Sequence, residues 1–227
     1  MRMAGRNRWL SGAIAANLLI FGWLAWGVVG QWSPMAGLDQ RLAQRFSAVA
    51  AASELWLASW TVIAAVFHPT VFIVVELIGA LVIAVRTRLG TGPARRAVAL
   101  LLLAAAGGLL SSLVKVIVAR PRPPGAAVEV AGFSFPSGHA FGAAVAVAIA
   151  VVFSWPHLAT AIRPWVCLAA ALLAGLVAFD RLALDVHYLS DVLAGLALGA
   201  AWALAAAVVT GHPAPNHPAP ISEAATV

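Results

Sequence analysis

The chain has one cysteine, Cys167, and it stands inside an apolar run. That excludes a disulfide framework and a cysteine-based metal site, and leaves the redox compartment unreadable from cysteine. Charge is also scarce. Only 10% of the 227 residues are Asp, Glu, Lys or Arg, against roughly a quarter in soluble domains. With 63% hydrophobic residues, the composition is that of an integral membrane protein. The charges sum to +6, but the arginines sit in short groups between apolar runs, where a membrane protein keeps its cytoplasmic cations, so nucleic acid is not expected as a partner. No internal duplication is visible, which removes support for an inverted-repeat transporter. A second domain has no support either.

What is present is a series of apolar stretches. Trp9 to about Gly30 is long enough to cross a hydrocarbon core of about 30 Å. It follows Arg2, Arg6 and Arg8 and is too long for the apolar region of a cleaved signal peptide, about 7 to 15 residues. Trp9 and Trp32 bracket it like the two aromatic belts. In residues 31 to 67, Asp39, Arg41, Arg45 and Glu54 alternate with apolar residues, which reads as an interfacial amphipathic segment. A further span there would set the arginines of residues 2 to 8 and the group Arg86, Arg88, Arg95 and Arg96 on opposite faces, against the positive-inside tendency. His68-Pro69 marks a break, since a residue before proline avoids the helix, and a second span runs to about Val85. Glu76 inside it reads as a bundle-facing carboxyl outside the site. Further spans cover about Ala97 to Val118, Ser137 to Ser154, Arg163 to Phe179 and Leu189 to Thr210. Gly107, Gly108, Ser111 and Ser112, and later Gly195 and Gly199, allow close helix approach. The expected fold is thus all-α: a polytopic bundle of six transmembrane helices plus the interfacial segment, one domain over residues 1 to 210. Residues 211 to 227, with His212 and His217 among prolines and alanines, read as a disordered cytoplasmic tail.

With the amino terminus inside, three polar motifs fall at the ends of spans three and five and the starts of spans four and six, all on the outer face. In the first, Lys115 and Arg122 are seven residues apart, nearly two helical turns, and Pro121 and Pro123 end the helix. In the second, Phe135-Pro136-Ser137-Gly138-His139 opens a span. Serine is a preferred N-cap and glycine admits a ligand to the backbone, so the helix end there suits an anion, with His139 at its rim. The third runs from Arg181 to Asp191. Arg181 offers a planar donor suited to phosphate oxygens. His187 and Asp191, four residues apart, share a helix face, so the carboxylate can hold the imidazole in one tautomer. Three cations, a helix N-terminus and two histidines in one wall of a membrane are costly to assemble without an anion between them. Phosphate fits. One histidine can attack phosphorus while the other protonates the leaving oxygen. The cations and backbone donors neutralise charge on the phosphoryl oxygens, so no metal or other cofactor is required.

These motifs, Lys115 to Pro123, Pro136 to His139 and Arg181 to Asp191, resemble the three signatures of the type 2 phosphatidic acid phosphatase superfamily, whose members include lipid phosphate phosphatases, glucose-6-phosphatase and vanadium haloperoxidases. The resemblance covers the middle third of the chain by motif and the rest by topology. It implies that His187 is a nucleophile forming a phosphohistidine, oriented by Asp191, that His139 is the general acid, and that Lys115, Arg122, Ser137, Gly138 and Arg181 bind phosphate. The family usually has Ser or Thr where this chain has Asp180, a carboxylate that either repels phosphate or orients Arg181. Asp185 reads as a solvated loop residue. Tyr188 either touches the lipid or anchors at the interface.

The expected function is removal of a terminal phosphate from a lipid at the outer face of a bacterial cytoplasmic membrane, with both termini cytoplasmic. Undecaprenyl diphosphate is the favoured substrate, by analogy with small bacterial relatives, ahead of phosphatidic acid and phosphatidylglycerol phosphate. A non-catalytic anion-binding membrane protein is the alternative of another class, motivated by Asp180. The partners expected are the lipid substrate and the surrounding membrane lipids; the sequence gives no oligomeric state.

Overall fold

The structure is a computed structural model that describes residues 8–211. The readings of Arg2, Arg6 and the tail with its two histidines lie outside these residues. Eight α-helices follow in order: α1 Arg8–Val29, α2 Ser33–Ala52, α3 Glu54–Val66, α4 Pro69–Thr87, α5 Gly92–Val118, α6 Gly138–Ser154, α7 Arg163–Ala183 and α8 Leu189–Val209, with a 3-10 turn at Trp155–His157. No strand occurs among the described residues. Among the described residues, six helical segments are long and apolar enough to cross a membrane.

Two boundaries differ from the sequence reading. The amphipathic segment is confined to α2. From Leu55 to Val75 the chain carries no charged residue, so α3 joins α4 in one apolar stretch, Glu54–Thr87. The His68-Pro69 break is therefore internal to that stretch: the His68 ring accepts from Thr70 N at 3.3 Å, and Pro69 begins the new helix. Likewise α5 starts at Gly92 and not near Ala97, because the Thr91 hydroxyl caps the Ala94 N–H and a proline occupies the first turn.

The bundle is built around α8. Its span is 56% buried, against 11% for α1, and it packs most extensively on α6 and α1. Small residues permit this. A Cβ on Gly195 would sit 2.5 Å from the Ser137 carbonyl oxygen, and one on Gly199 at 2.5 Å from that of Phe141, so α6 and α8 meet backbone to side-chain-free backbone. Gly107 on α5 similarly faces Trp202 and Phe141. Leu100, Phe141, Val145 and Leu198 form the apolar core. Helix α2 packs against α3, α7 and α8, so this one amphipathic element covers the end of the bundle where α8 begins.

Candidate active site

The polar motifs gather at that same end. Helix α5 stops because Ala119 adopts a left-handed conformation (φ 49°) and its N–H closes on the Lys115 carbonyl; Pro121 and Pro123 prevent resumption. Lys115 in the last turn donates to the Phe133 carbonyl at 2.9 Å. The connection then folds back over the helix end, with Ser134 N donating to the Arg120 carbonyl at 2.9 Å. Arg122 is gripped by the same connection: Nε donates to Gly132 O at 3.0 Å and Nη2 to Ala131 O at 3.2 Å. Its Nη1 reaches the other way, to Val186 O at 2.8 Å and His187 Nε2 at 3.1 Å.

That last contact fixes a proton. A guanidinium has only donors, so Nε2 of His187 must present its lone pair, and the ring proton of a neutral imidazole then sits on Nδ1. Nδ1 faces Asp191 Oδ2 at 3.6 Å, longer than a hydrogen bond but well within electrostatic reach. The ring is almost fully buried, and burial pushes His187 down to about 4; Lys115 and Arg122 act in the same direction, and Asp191 opposes them. At neutral pH the imidazole is therefore uncharged, with its lone pair turned toward cationic side chains.

Asp191 is completely buried and is held from three sides. Ser134 Oγ donates to Oδ2 at 2.6 Å, Tyr188 N at 2.9 Å to the same oxygen, and Arg120 Nη1 to Oδ1 at 2.5 Å. The Ser137 N–H donates to the Asp191 carbonyl at 2.9 Å, which ties the first turns of α6 and α8 together. Ser137 makes no side-chain cap to its own helix, so the leading N–H groups of α6 are left for a ligand. A Cβ on Gly138 would lie 3.9 Å from Lys115 Cε, which brings the first and second motifs into contact. Burial weakens the hold of Arg122 on a proton; Asp191 opposes this, and Arg181 acts electrostatically in the same direction as burial. His139 lies within the electrostatic reach of both Arg181 and His187 and packs edge to face on His68, ring centroids 5.2 Å apart. All eight residues singled out from the sequence thus converge. Ser137 Oγ and His139 Nε2 are buried with no hydrogen-bond partner among the described residues.

Asp180 pairs with its neighbour: one oxygen takes both Nε and Nη2 of Arg181, so this carboxylate orients the arginine. Asp185 corrects the sequence reading. It is 1% exposed, lies against Gly125 in a left-handed turn (φ 52°), and burial pushes its carboxyl up to about 6. Its side chain is enclosed because the 119–137 connection packs over it, with Ala127 N bonded to Leu184 O at 3.0 Å.

Four residues of the site were not identified from sequence: Asp39, Arg120, Ser134 and Ser190. Arg120 donates to Asp191, to Ser190 Oγ at 2.7 Å and to Asp39 Oδ2 at 2.8 Å, and its guanidinium carbon lies 4.1 Å from the Tyr188 ring centroid. Burial alone would ease deprotonation of this guanidinium, but its two carboxylates outweigh that and bind the proton more firmly. Asp39, reaching in from α2, also accepts from Ser190 N at 3.0 Å and Ser190 Oγ at 2.5 Å. Arg120 was in view, two residues from Arg122 in a run that already looked basic; Asp39 carried no local signal.

Comparison with known proteins bears on the family and the fold. The family model described as PAP2 superfamily matches residues 96–212. Phosphatidylglycerophosphatase B of Bacillus subtilis (strain 168) is 37% identical over 94 residues, which cover 40% of this chain and 46% of that protein; the match spans about half the length of that relative. The crystal structure of a transmembrane PAP2 type phosphatidylglycerolphosphate phosphatase from Bacillus subtilis aligns with a TM-score of 0.74 at 22% identity, over 90% of this chain and 98% of that one. That likeness shows a shared fold.

Proposed function

Since the chain belongs to the PAP2 superfamily, we propose that it is a lipid phosphatase that transfers a terminal phosphoryl group from a membrane lipid to His187 and then to water. The observation that carries this reading is the state of the His187 ring, with an acceptor at Nε2 facing Arg122 and a donor at Nδ1 facing Asp191. Nε2 attacks phosphorus and forms a P–N bond as the bond from phosphorus to the lipid oxygen breaks. His139 gives its proton to that oxygen. Water then attacks the phosphohistidine, returning a proton to His139 and releasing inorganic phosphate. Lys115, Arg122, Arg181 and the N–H groups at Ser137 and Gly138 take up the negative charge of the phosphoryl oxygens in both steps.

The arginines support an orientation. Arg86, Arg88, Arg95, Arg96 and Arg163 stand at the ends of α4, α5 and α7 remote from the site, and such clusters stay cytoplasmic. The site then faces outward from a bacterial cytoplasmic membrane, with both chain ends inside. The name of the Bacillus subtilis relative makes phosphatidylglycerol phosphate a substrate to test beside phosphatidic acid and undecaprenyl diphosphate, the lipid favoured from sequence. The test is phosphate release in detergent with EDTA present, comparing the parent with His187→Ala on all three. Chelator-resistant release abolished by the substitution is expected. No release from any lipid by folded parent protein would overturn the enzyme reading and leave an anion-binding membrane protein.

A further inference from the structure

Two cavities flank α4 on the membrane side of the site. One, of about 460 Å³, lies between α4, α5 and α6 and reaches Lys115 and Gly138, so it is continuous with the phosphate-binding cluster. The other, of about 510 Å³, runs along the opposite flank of α4 toward α6 and has a single polar lining residue, Glu76. The cavities share two residues, Phe72 and Glu76. They part at a carboxyl group.

Glu76 does not stand alone there. Ser111 lines the first cavity with it, and both side chains are more than nine-tenths buried. Glu76 Oε1 and Ser111 Oγ have no hydrogen-bond partner among the described residues. Inside a membrane an unpaired polar group is costly, so two of them lining one cavity imply an occupant that bonds them. Their depth identifies it. Ser111 is one turn from Lys115 and Glu76 two turns from Pro69, which puts them about 6 and 10 Å from the phosphate end along their helices, at a rise of about 1.5 Å per residue. In a glycerophospholipid the ester carbonyl oxygens are six and seven bonds from phosphorus, roughly 7–8 Å when extended with bonds near 1.2–1.5 Å, a reach between those two depths. From that point two hydrocarbon chains diverge. A single-chain isoprenoid phosphate has no oxygen at this depth and would fill one cavity while passing an unpaired carboxyl.

We propose that Glu76 and Ser111 form a linker subsite that hydrogen-bonds the ester oxygens of a two-chain glycerophospholipid phosphate, with one acyl chain in each cavity. The Ser111 hydroxyl and the Glu76 carboxyl, neutral as an unpaired acid in hydrocarbon is, act as the donors. The inference rests on the lipid phosphatase reading for the position of the phosphate and sharpens the substrate class toward diacyl lipids.

The probes are dioleoyl phosphatidic acid, which has the linker and two chains, and dodecyl phosphate, which has neither. For Glu76→Leu combined with Ser111→Ala, the ratio of kcat/KM on the first to kcat/KM on the second is expected to fall about tenfold, the worth of a hydrogen bond or two. Ser111→Ala alone, which removes one oxygen atom, gives a smaller fall in the same direction, and Glu76→Gln, which keeps a donor, preserves the ratio. An unchanged ratio, or equal loss on both substrates, overturns the proposal. Retention of the two probes on purified protein, measured by native mass spectrometry in a His187→Ala background, separates this from the enzyme reading. Selective loss of phosphatidic acid in the double variant supports the subsite even if the parent releases no phosphate. Equal retention sinks it even if the parent is an active phosphatase.

Discussion

Asp39→Ala is expected to damage stability more than chemistry, and Arg120→Ala to damage both. Asp39 is buried and accepts three hydrogen bonds, from Arg120 and from the backbone and hydroxyl of Ser190. Removing its carboxylate strands the Ser190 N–H in the first turn of α8, worth about 1–3 kcal/mol, and forfeits one charge-assisted bond of about 1.5–3 kcal/mol. Arg120 keeps Asp191, so no buried charge is left alone. A total of about 2.5–6 kcal/mol results, with only a small fall in kcat because Ser134 and Tyr188 still hold Asp191. Arg120→Ala instead leaves two enclosed carboxylates without their cation. Breaking a buried pair in this way costs about 3–5 kcal/mol, and the resulting proton uptake or rotation at Asp191 releases His187, for which a loss of about 10²-fold in kcat is expected, the scale of a misplacement of about 1 Å. Thermal unfolding in detergent, followed by tryptophan fluorescence, reads the first quantity and phosphate release the second. Combined, the two substitutions should cost clearly less than the sum of each alone. Strict additivity, or a larger kcat loss from Asp39→Ala than from Arg120→Ala, would refute the claim that Asp39 acts through Arg120.

The low-pH limb of kcat is expected near pH 4, well below the ordinary histidine value, because the group that must lose its proton is His187 at about 4. By linkage the same depressed value contributes stability above pH 6.5 that disappears as pH falls toward 4; a limb centred at 6.5 on a chemistry-limited step would remove His187 from the nucleophile's role. Asp185, raised to about 6, contributes in the opposite sense: the fold is favoured while this carboxyl is protonated and loses that contribution as pH climbs from about 4 through 6. Asp185→Asn, which tolerates the left-handed turn, should therefore raise the melting temperature at pH 8 and leave it unchanged at pH 4; equal effects at both would refute the assignment. Gly199→Val would force α8 away from the Phe141 carbonyl and is expected to destabilise by at least about 1–3 kcal/mol through overpacking, with kcat lost as His187 and Asp191 withdraw from Ser137; full activity in a folded variant would count against α6–α8 contact as the site's support.

The bundle and its three motifs were legible because their signals are local. Twenty apolar residues announce a span, proline ends α5, and Ser137-Gly138 marks a helix start wherever it occurs. The Asp39 link was not legible for the opposite reason: it joins groups 81 and 151 residues apart, and a carboxylate on a polar helix face looks the same whether it meets water or an arginine. The amphipathic segment looks longer in sequence than α2 is, because Glu54 resembles a continuation of the polar segment, whereas it is an acidic first-turn residue of α3 capped by Ser53. Asp185 was misjudged because enclosure by a connection 60 residues earlier in the chain has no signature in the residues around it. Where Asp180 left two readings open, the ion pair to Arg181 selected one.

The reach of Asp39 across the chain also sets an order of assembly. Asp39 leaves the ribosome 151 residues before the Ser190 it will bind, an interval of roughly 8 to 30 seconds at about 5–20 residues per second. For the first 81 residues of that interval its carboxylate has no Arg120, and for all of it no first turn of α8. A charge on a membrane-spanning helix would spend the interval in hydrocarbon; on α2, at the surface, it spends it in water. Helix α8 brings Ser190 and Asp191, so the network around Asp39 and Arg120 closes only once that helix is in place.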